Sequence, residues 1–367
     1  MTSSQRCAET RCTIIPPHIL NEVIKNGRPG QSNQALLTLN SDFSIRTLRA
    51  LRSVQAAQAR PLALDDVQQV TTSAYDTQHT MQLPGTLLAS APTVGQTPAT
   101  GDPAADAAFD NLRATYTFFL SQYQWRSIDD HGMPLVATVH YGDGYDNAYW
   151  NGTQMVFGDG GGDIFQNFSA ALDVVGHELT HGVTEFTAGL VYQDQSGALN
   201  ESISDVFGSL IKQQHLGQTA EQADWLIGAE VLTPQVQAMD TAPSNPAALR
   251  WMKQPGDAYR NPLMGKDPQP AHMDDYDYTK FDNGGVHINS GIPNRAFYLA
   301  ATKLGGYAWE RAGWIWFSAL PQVGRLSTFA QFAALTARTA ATLYPNSPEI
   351  QQAVADAWRE VGVPTRA

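Results

Sequence analysis

The chain has 367 residues, 43% of them hydrophobic, a formal charge of −12 and a pI near 5.1, enough for two domains with a substantial core. That acidity excludes a basic nucleic-acid footprint, and no run of about 18 apolar residues is present to span a membrane. The charge is uneven, because residues 1–60 hold eight Lys/Arg against three Asp/Glu, so a basic head precedes an acidic body and can dock on it electrostatically.

The opening MTSSQRCAETRC has no apolar signal core, so the protein is expected to be made without a conventional signal peptide and to be cytoplasmic as made, with export by another route left open. Cys7 and Cys12 are the only cysteines, which leaves the body without a disulfide framework. Thr13–Gly27 begins extended, because Pro16 and Pro17 resist helix, and then forms a short helix stopped by Gly27. A second helix is predicted over SDFSIRTLRALRSVQAAQ with Ser41 or Ser44 as its cap, followed by a linker over Gln55–Asp66. Val67–Pro103 reads as short strands and turns, Ala104–Gln122 as a helix, and PLVATVHYG as a strand. YDNAYWNGTQMVFGDGGGD reads as a hairpin and a glycine loop, a turn in the first instance and a calcium loop in the second.

After Ala170 the hydrophobic period changes from two to 3.6, and the remainder is helical apart from an irregular stretch over 233–289. His177, Glu178 and His181 form H-E-x-x-H, whose spacing stacks both imidazoles on one helix face beside a carboxylate able to take a proton. Glu201 follows a Gly197 turn at the start of a second apolar-periodic run, where a packed helix can present it as a third ligand and leave a fourth zinc position open. Asp205, one turn further, is placed to orient a ligand histidine. Trp314, Trp316 and Phe317 belong to the core of the final amphipathic helices.

The segments HELTHGVT, AGLVYQDQSGALNESISDVFG, YDNAYWNG and DNGGVHINSGIPN resemble the thermolysin-like metallopeptidases, and the resemblance runs from about Val67 to the C-terminus. The short head with C-T-I-I-P-P is similar to the prosegment of the protealysin-like branch. The resemblance implies an α+β fold: a β-rich N-terminal domain and an α-helical C-terminal domain, with the zinc cleft between them. The boundaries are placed at 1–55 for a removable inhibitory prosegment, 56–189 and 190–367. It implies one catalytic zinc on His177, His181 and Glu201, with Glu178 as the catalytic carboxylate. Tyr192 and His287 become the oxyanion donors, Asp282 the group orienting His287, and Asn200 and Asp205 the partners of the ligand histidines. Asn147 and Ala148 are expected to hold the substrate backbone, and Arg250 the carbonyl after the cleaved bond. Phe165, Phe168, Val174, Ile227, Val231 and Leu249 would line the pocket for the residue after that bond, favouring bulky apolar side chains.

One departure concerns calcium. The family's double site corresponds here to Asp173, Lys212, Asp224, Leu226 and Ala229, and the Lys212 ammonium is expected to replace a cation there. The implied function is a zinc-dependent neutral endopeptidase made as a self-inhibited precursor, and the competing reading is a binding protein that keeps the fold but is locked. Two locks are open: Pro16–Pro17 at the susceptible bond, or a thiolate, Cys12 before Cys7, capping the zinc. The expected partners are peptide or protein substrates and the chain's own prosegment, with a monomer and with neither nucleic acid nor membrane.

Overall fold

A computed structural model describes residues 13–56 and 69–365, with the backbone alone for 44–56; Cys7, Cys12 and most of the expected linker lie outside the described residues. The head is a helical hairpin. Helix α1 (Pro17–Asn26) starts on Pro17, since the fixed φ of proline suits a first helical turn, and buries Ile19, Leu20 and Val23. It ends at Gly27, where a Cβ would lie 2.6 Å from the Val23 carbonyl oxygen, so the glycine serves close approach of the backbone. Helix α2 (Pro29–Ala56) begins twelve residues before the expected Ser41 cap. Ser41 instead bonds back to the Leu37 carbonyl inside the helix, and Pro29 starts it.

Five strands follow: β1 (Thr71–Asp76), β2 (Thr86–Pro92), β3 (Leu135–Val139), β4 (Ala148–Trp150) and β5 (Met155–Phe157). They form one sheet in the order β2-β1-β3-β5-β4, with β1, β3 and β5 parallel and β2 and β4 antiparallel at the two edges. Helix α3 (Pro103–Tyr123), capped by the Asp102 carboxylate accepting from the Ala104 and Ala105 amides, packs on β1 and β3.

Helices α4 (Leu172–Phe186) and α5 (Asp194–Leu216) form the axis of the molecule, with α4 against β4 and α5 reaching the C-terminal helices. Gly197 lies within α5 and makes no turn. A Cβ there would approach Val286 to 2.5 Å and the Tyr192 backbone to 2.9 Å, so the residue lets three segments converge beside the site. Short elements fill 217–281, including α6 (Pro234–Met239) and a two-stranded ribbon that pairs Ile227 with Arg250. Then come α7 (Asp282–Asn289), α8 (Gly291–Leu304), α9 (Ala312–Ala319), α10 (Phe329–Leu343) and α11 (Pro348–Glu360). Trp316 and Phe317 are buried there, with Trp314 at the margin. A sheet-bearing half and a helical half thus meet across α4 and α5.

Candidate active site

His177 and His181 lie one turn apart on α4, and their Nε2 atoms approach to 3.1 Å. Glu201, on α5, faces both: its carboxylate oxygens stand 3.6 Å from His177 Nε2 and 3.5 Å from His181 Nε2. The far nitrogens are held from behind. His177 Nδ1 is 2.8 Å from Asp205, and His181 Nδ1 is 2.8 Å from the Asn200 side chain and 3.0 Å from the Ser204 hydroxyl. The two ring atoms facing Glu201 are therefore the Nε2 atoms, the orientation a metal needs. Glu201 Oε2 is buried with no hydrogen-bond donor, a costly arrangement for a carboxylate unless a cation completes it. Two imidazoles and one carboxylate are zinc ligands, so the residues fit a zinc ion.

The electrostatics agree with this. Burial pushes the Glu201 carboxyl up, but His287, His181 and His177 outweigh it and hold the group at about 2. Burial drives His181 down to about 4, against the pull of Glu201, which leaves a neutral ring with a free lone pair. Asp205 is held well below the usual carboxylate range, since Arg250 and His177 overcome the burial penalty.

Glu178 is fully buried, and its Oε2 accepts the backbone N–H of Trp150 at 3.0 Å, fixing the carboxylate between α4 and the edge strand β4. On the other side, Tyr192 OH donates to Glu201 at 2.5 Å and lies 3.3 Å from His287 Nε2. His287 Nδ1 is 2.8 Å from Asp282, which also accepts the His287 backbone N–H at 3.0 Å. Burial would lower the proton affinity of His287, yet Asp282 and Glu201 raise it above the ordinary histidine value. The turn Asp282–Gly285 has four positive φ angles, 54°, 52°, 84° and 71°. Glycine is required at Gly284, where a Cβ would collide with the Asp194 carboxylate.

Asn147, Ala148 and Arg250, expected to face substrate, contact the head. Ile14 N–H donates to the Ala148 carbonyl at 3.2 Å, and the Ile14 carbonyl accepts from Arg250 Nη1 at 3.2 Å. Ile15 N–H donates to Asn147 Oδ1 at 2.9 Å, and Asn147 Nδ2 donates to the Ile15 carbonyl at 3.4 Å. Ile14 and Ile15 thereby run along the edge of β4 like an added strand, fully buried. Pro16 and Pro17 are not at this position: they follow it and open α1, because the extended backbone that precedes a proline suits the two isoleucines instead. Phe165, Phe168, Val174, Ile227, Val231 and Leu249 are all buried in the apolar cluster that contains Ile14.

Long-range partners escape sequence reasoning. Asp205 accepts both Arg250 Nε and Nη2 at 2.8 Å and Asn294 Nδ2 at 2.8 Å, so one carboxylate orients both His177 and Arg250. Asp42, buried on α2, accepts Tyr145 OH at 2.5 Å and Asn147 Nδ2 at 2.9 Å. The basic character of the head does not explain its seating among the described residues. The Arg28–Asp163 pair at 3.7 Å is exposed and worth little, whereas the buried charge at the contact is the acid Asp42. Lys212 Nζ lies 3.3 Å from Asp173, 3.2 Å from Asp224 and 3.5 Å from the Leu226 carbonyl. The two acids raise its proton affinity despite burial.

Comparison with known proteins bears on this constellation directly. Residues 46–185 match the model of the thermolysin metallopeptidase catalytic domain, and residues 188–363 that of its alpha-helical domain. An extracellular metalloprotease of Pectobacterium carotovorum is 48% identical, with 97% of each chain covered. An extracellular minor metalloprotease of Serratia marcescens is 41% identical over 83% of this chain and 81% of its own. The solved precursor of protealysin, a metalloproteinase from Serratia proteamaculans, superposes with a TM-score of 0.83 at 47% identity, over 96% of this chain and all of that one. The extracellular relatives overturn the expectation of a protein cytoplasmic as made and point to secretion. That expectation rested on the opening residues alone, which bear on only one route of export. The clustered His177, His181 and Glu201, the carboxylate Glu178 on the same helix as the two histidines and these relatives lead to one conclusion: the chain belongs to the thermolysin metallopeptidase family and is a metalloprotease.

Proposed function

We propose that the chain is a zinc endopeptidase precursor with a removable head, residues 1–55, whose Ile14 and Ile15 occupy the primed side of its own cleft. The observation that carries this reading is the bracketing of Ile14 between the Ala148 carbonyl and the Arg250 guanidinium, with Ile15 on Asn147. A substrate would make the same backbone bonds, with its residue after the cleaved bond in the place of Ile14. The six apolar residues of the cluster then favour a bulky hydrophobic side chain there.

Zinc, when bound by His177, His181 and Glu201, polarises the scissile carbonyl and lowers the pKa of a bound water to about 7. Glu178, held by the Trp150 amide, accepts the proton of the attacking water on a carboxylate oxygen and passes it to the departing amine. His287, whose proton affinity Asp282 and Glu201 raise against burial, and Tyr192 beside it donate to the developing oxyanion. Arg250, clamped by two bonds to Asp205, fixes the carbonyl beyond the cleaved bond. At the position of the family's calcium pair, the Lys212 ammonium supplies positive charge between Asp173 and Asp224.

The test is hydrolysis of peptides bearing Leu, Phe, Gly or Asp after the cleaved bond, by full-length and by head-removed protein. The expected result is turnover by the shortened protein alone, fastest with Leu or Phe. Equal rates for the two proteins would overturn self-inhibition, and equal rates for Leu and Asp the apolar pocket. A zinc-loaded shortened protein with no turnover would favour the locked binding protein.

A further inference from the structure

A second cluster of nitrogen and oxygen donors, separate from His177, His181 and Glu201, lies at the C-terminal ends of the sheet's parallel strands. His140 follows β3, His79 lies in the β1–β2 turn and Asp159 in the glycine loop after β5. His140 Nδ1 is 2.9 Å from both Asp159 oxygens, and His79 Nδ1 is 3.5 Å from Asp159 Oδ2. One donor atom from each residue lies within 4.8 Å of the other two. The rings stand 5.4 Å apart, and the His79 amide donates to the His140 carbonyl at 3.0 Å, tying the two backbones together. Both histidines have left-handed φ, 60° and 54°, a conformation uncommon for histidine. Behind His140, the Nε2 atom lies 2.8 Å from Asp102 Oδ2, whose other oxygen caps α3.

We propose that His79, His140 and Asp159 form a second metal site, independent of the catalytic one, that takes zinc or a similar transition-metal ion and not calcium. The donor set decides the class of ion. Two imidazoles and one carboxylate suit zinc, cobalt(II) or nickel(II), whereas calcium requires six or more oxygens. The Asp159 loop, which the sequence offers as a calcium loop, therefore presents its carboxylate to nitrogen ligands. Asp102 supplies the carboxylate behind a ligand histidine that fixes its ring and leaves Nδ1 toward the ion. In a tetrahedral zinc site with bonds of about 2.0–2.2 Å, neighbouring donors sit roughly 3.3–3.5 Å apart. The His79–Asp159 separation already matches, and His140–Asp159 needs to open by only a few tenths of an ångström. Side-chain exposure rises from 20% at His140 to 58% at His79, so the fourth position opens to water on the His79 side. A bound ion would join the β1–β2 turn, the end of β3, the glycine loop and, through Asp102, the start of α3.

The experiment titrates chelator-stripped full-length protein with zinc or cobalt(II) and counts equivalents by calorimetry and elemental analysis, beside His79→Ala, Asp159→Asn and Asp102→Asn. His79 is more than half exposed, so its removal leaves the fold intact, and asparagine keeps the α3 cap. The expected result is two equivalents for the wild type, one for His79→Ala and Asp159→Asn, and a second site weakened about 10- to 100-fold in Asp102→Asn. His79→Ala should retain its peptidase rate once the head is removed. A single equivalent in the wild type, or two equivalents of unchanged affinity in both His79→Ala and Asp159→Asn, overturns the proposal. A calcium isotherm abolished by those two substitutions would overturn the choice of ion. Glu201→Gln separates the sites, since it should remove the catalytic equivalent alone.

Discussion

Replacing Asp42 by alanine should unlock the precursor. Asp42 joins the head to the segment before β4 from a position 1% exposed, accepting a phenol from Tyr145 and an amide from Asn147. Hydrogen bonds to a charged partner contribute about 1.5–3 kcal/mol each, and their loss leaves two donors unsatisfied while the head stays docked. A combined loss of about 3 kcal/mol in docking corresponds to on the order of a hundredfold more undocked protein. The assay is the initial rate of cleavage of a quenched peptide by full-length protein, read before any shortening appears on a gel, together with the half-time of head removal. Asp42→Ala should raise the first and shorten the second, and Asp42→Asn should fall between. Leu37→Ser, half-exposed on the same helix, should do neither. If Asp42→Ala stays within threefold of the wild type in both readouts while folded, the carboxylate does not hold the head.

Acid should also loosen the head, through His18. Its Nε2 is 3.0 Å from Tyr259 OH, its Nδ1 is buried without a partner, and burial lowers it to about 4 although Asp282 pulls it up; His287 and Arg250 add to the lowering. The docked state thus disfavours the proton. Its stability is fully present above the free value of about 6.5 and falls about tenfold per pH unit from there toward 4. Limited proteolysis of the head should accelerate between pH 7 and 5 in the wild type and less in His18→Gln; equal pH profiles would refute the assignment. Glu178→Ala should bind zinc with unchanged stoichiometry and lose about 10²–10⁴ in peptide hydrolysis after the head is removed, while full residual activity would exclude it as the base. Lys212→Ala leaves the buried Asp173 carboxylate facing Asp224 and should destabilise the fold by about 1–3 kcal/mol, lowering Tm several degrees in calcium-free buffer. An unchanged Tm would show that the ammonium is dispensable.

The catalytic half of this arrangement was legible because it is local. A helix repeat fixes the relation of His177 to His181, and a second periodic run delivers Glu201 and Asp205 at helical spacing. Contacts between distant segments had no such signal. Asn294 reaches Asp205 from 89 residues away, and Asp42 reaches Asn147 from 105. Alpha2 was misplaced because GQSNQALLTLN has weak amphipathic spacing, so a serine looked like a better start than Pro29. The proline pair was legible as a barrier to helix, but not as the helix start that Pro17 makes nor as the neighbour of the residues that enter the cleft.

The edge position of β4 has a further consequence. A sheet edge that lacks a neighbouring strand is an invitation to pair with any extended chain, including another copy of the same protein. In the precursor that edge is covered by the molecule's own Ile14, so a newly made chain carries no sticky seam into a crowded solution. Under the proposed function, removal of the head would leave β4 with only the three residues Ala148–Trp150, enough to pair with a peptide and too few to seed a stack of strands. The shortness of that strand reconciles an enzyme that must grip extended backbone with a protein that must stay dissolved.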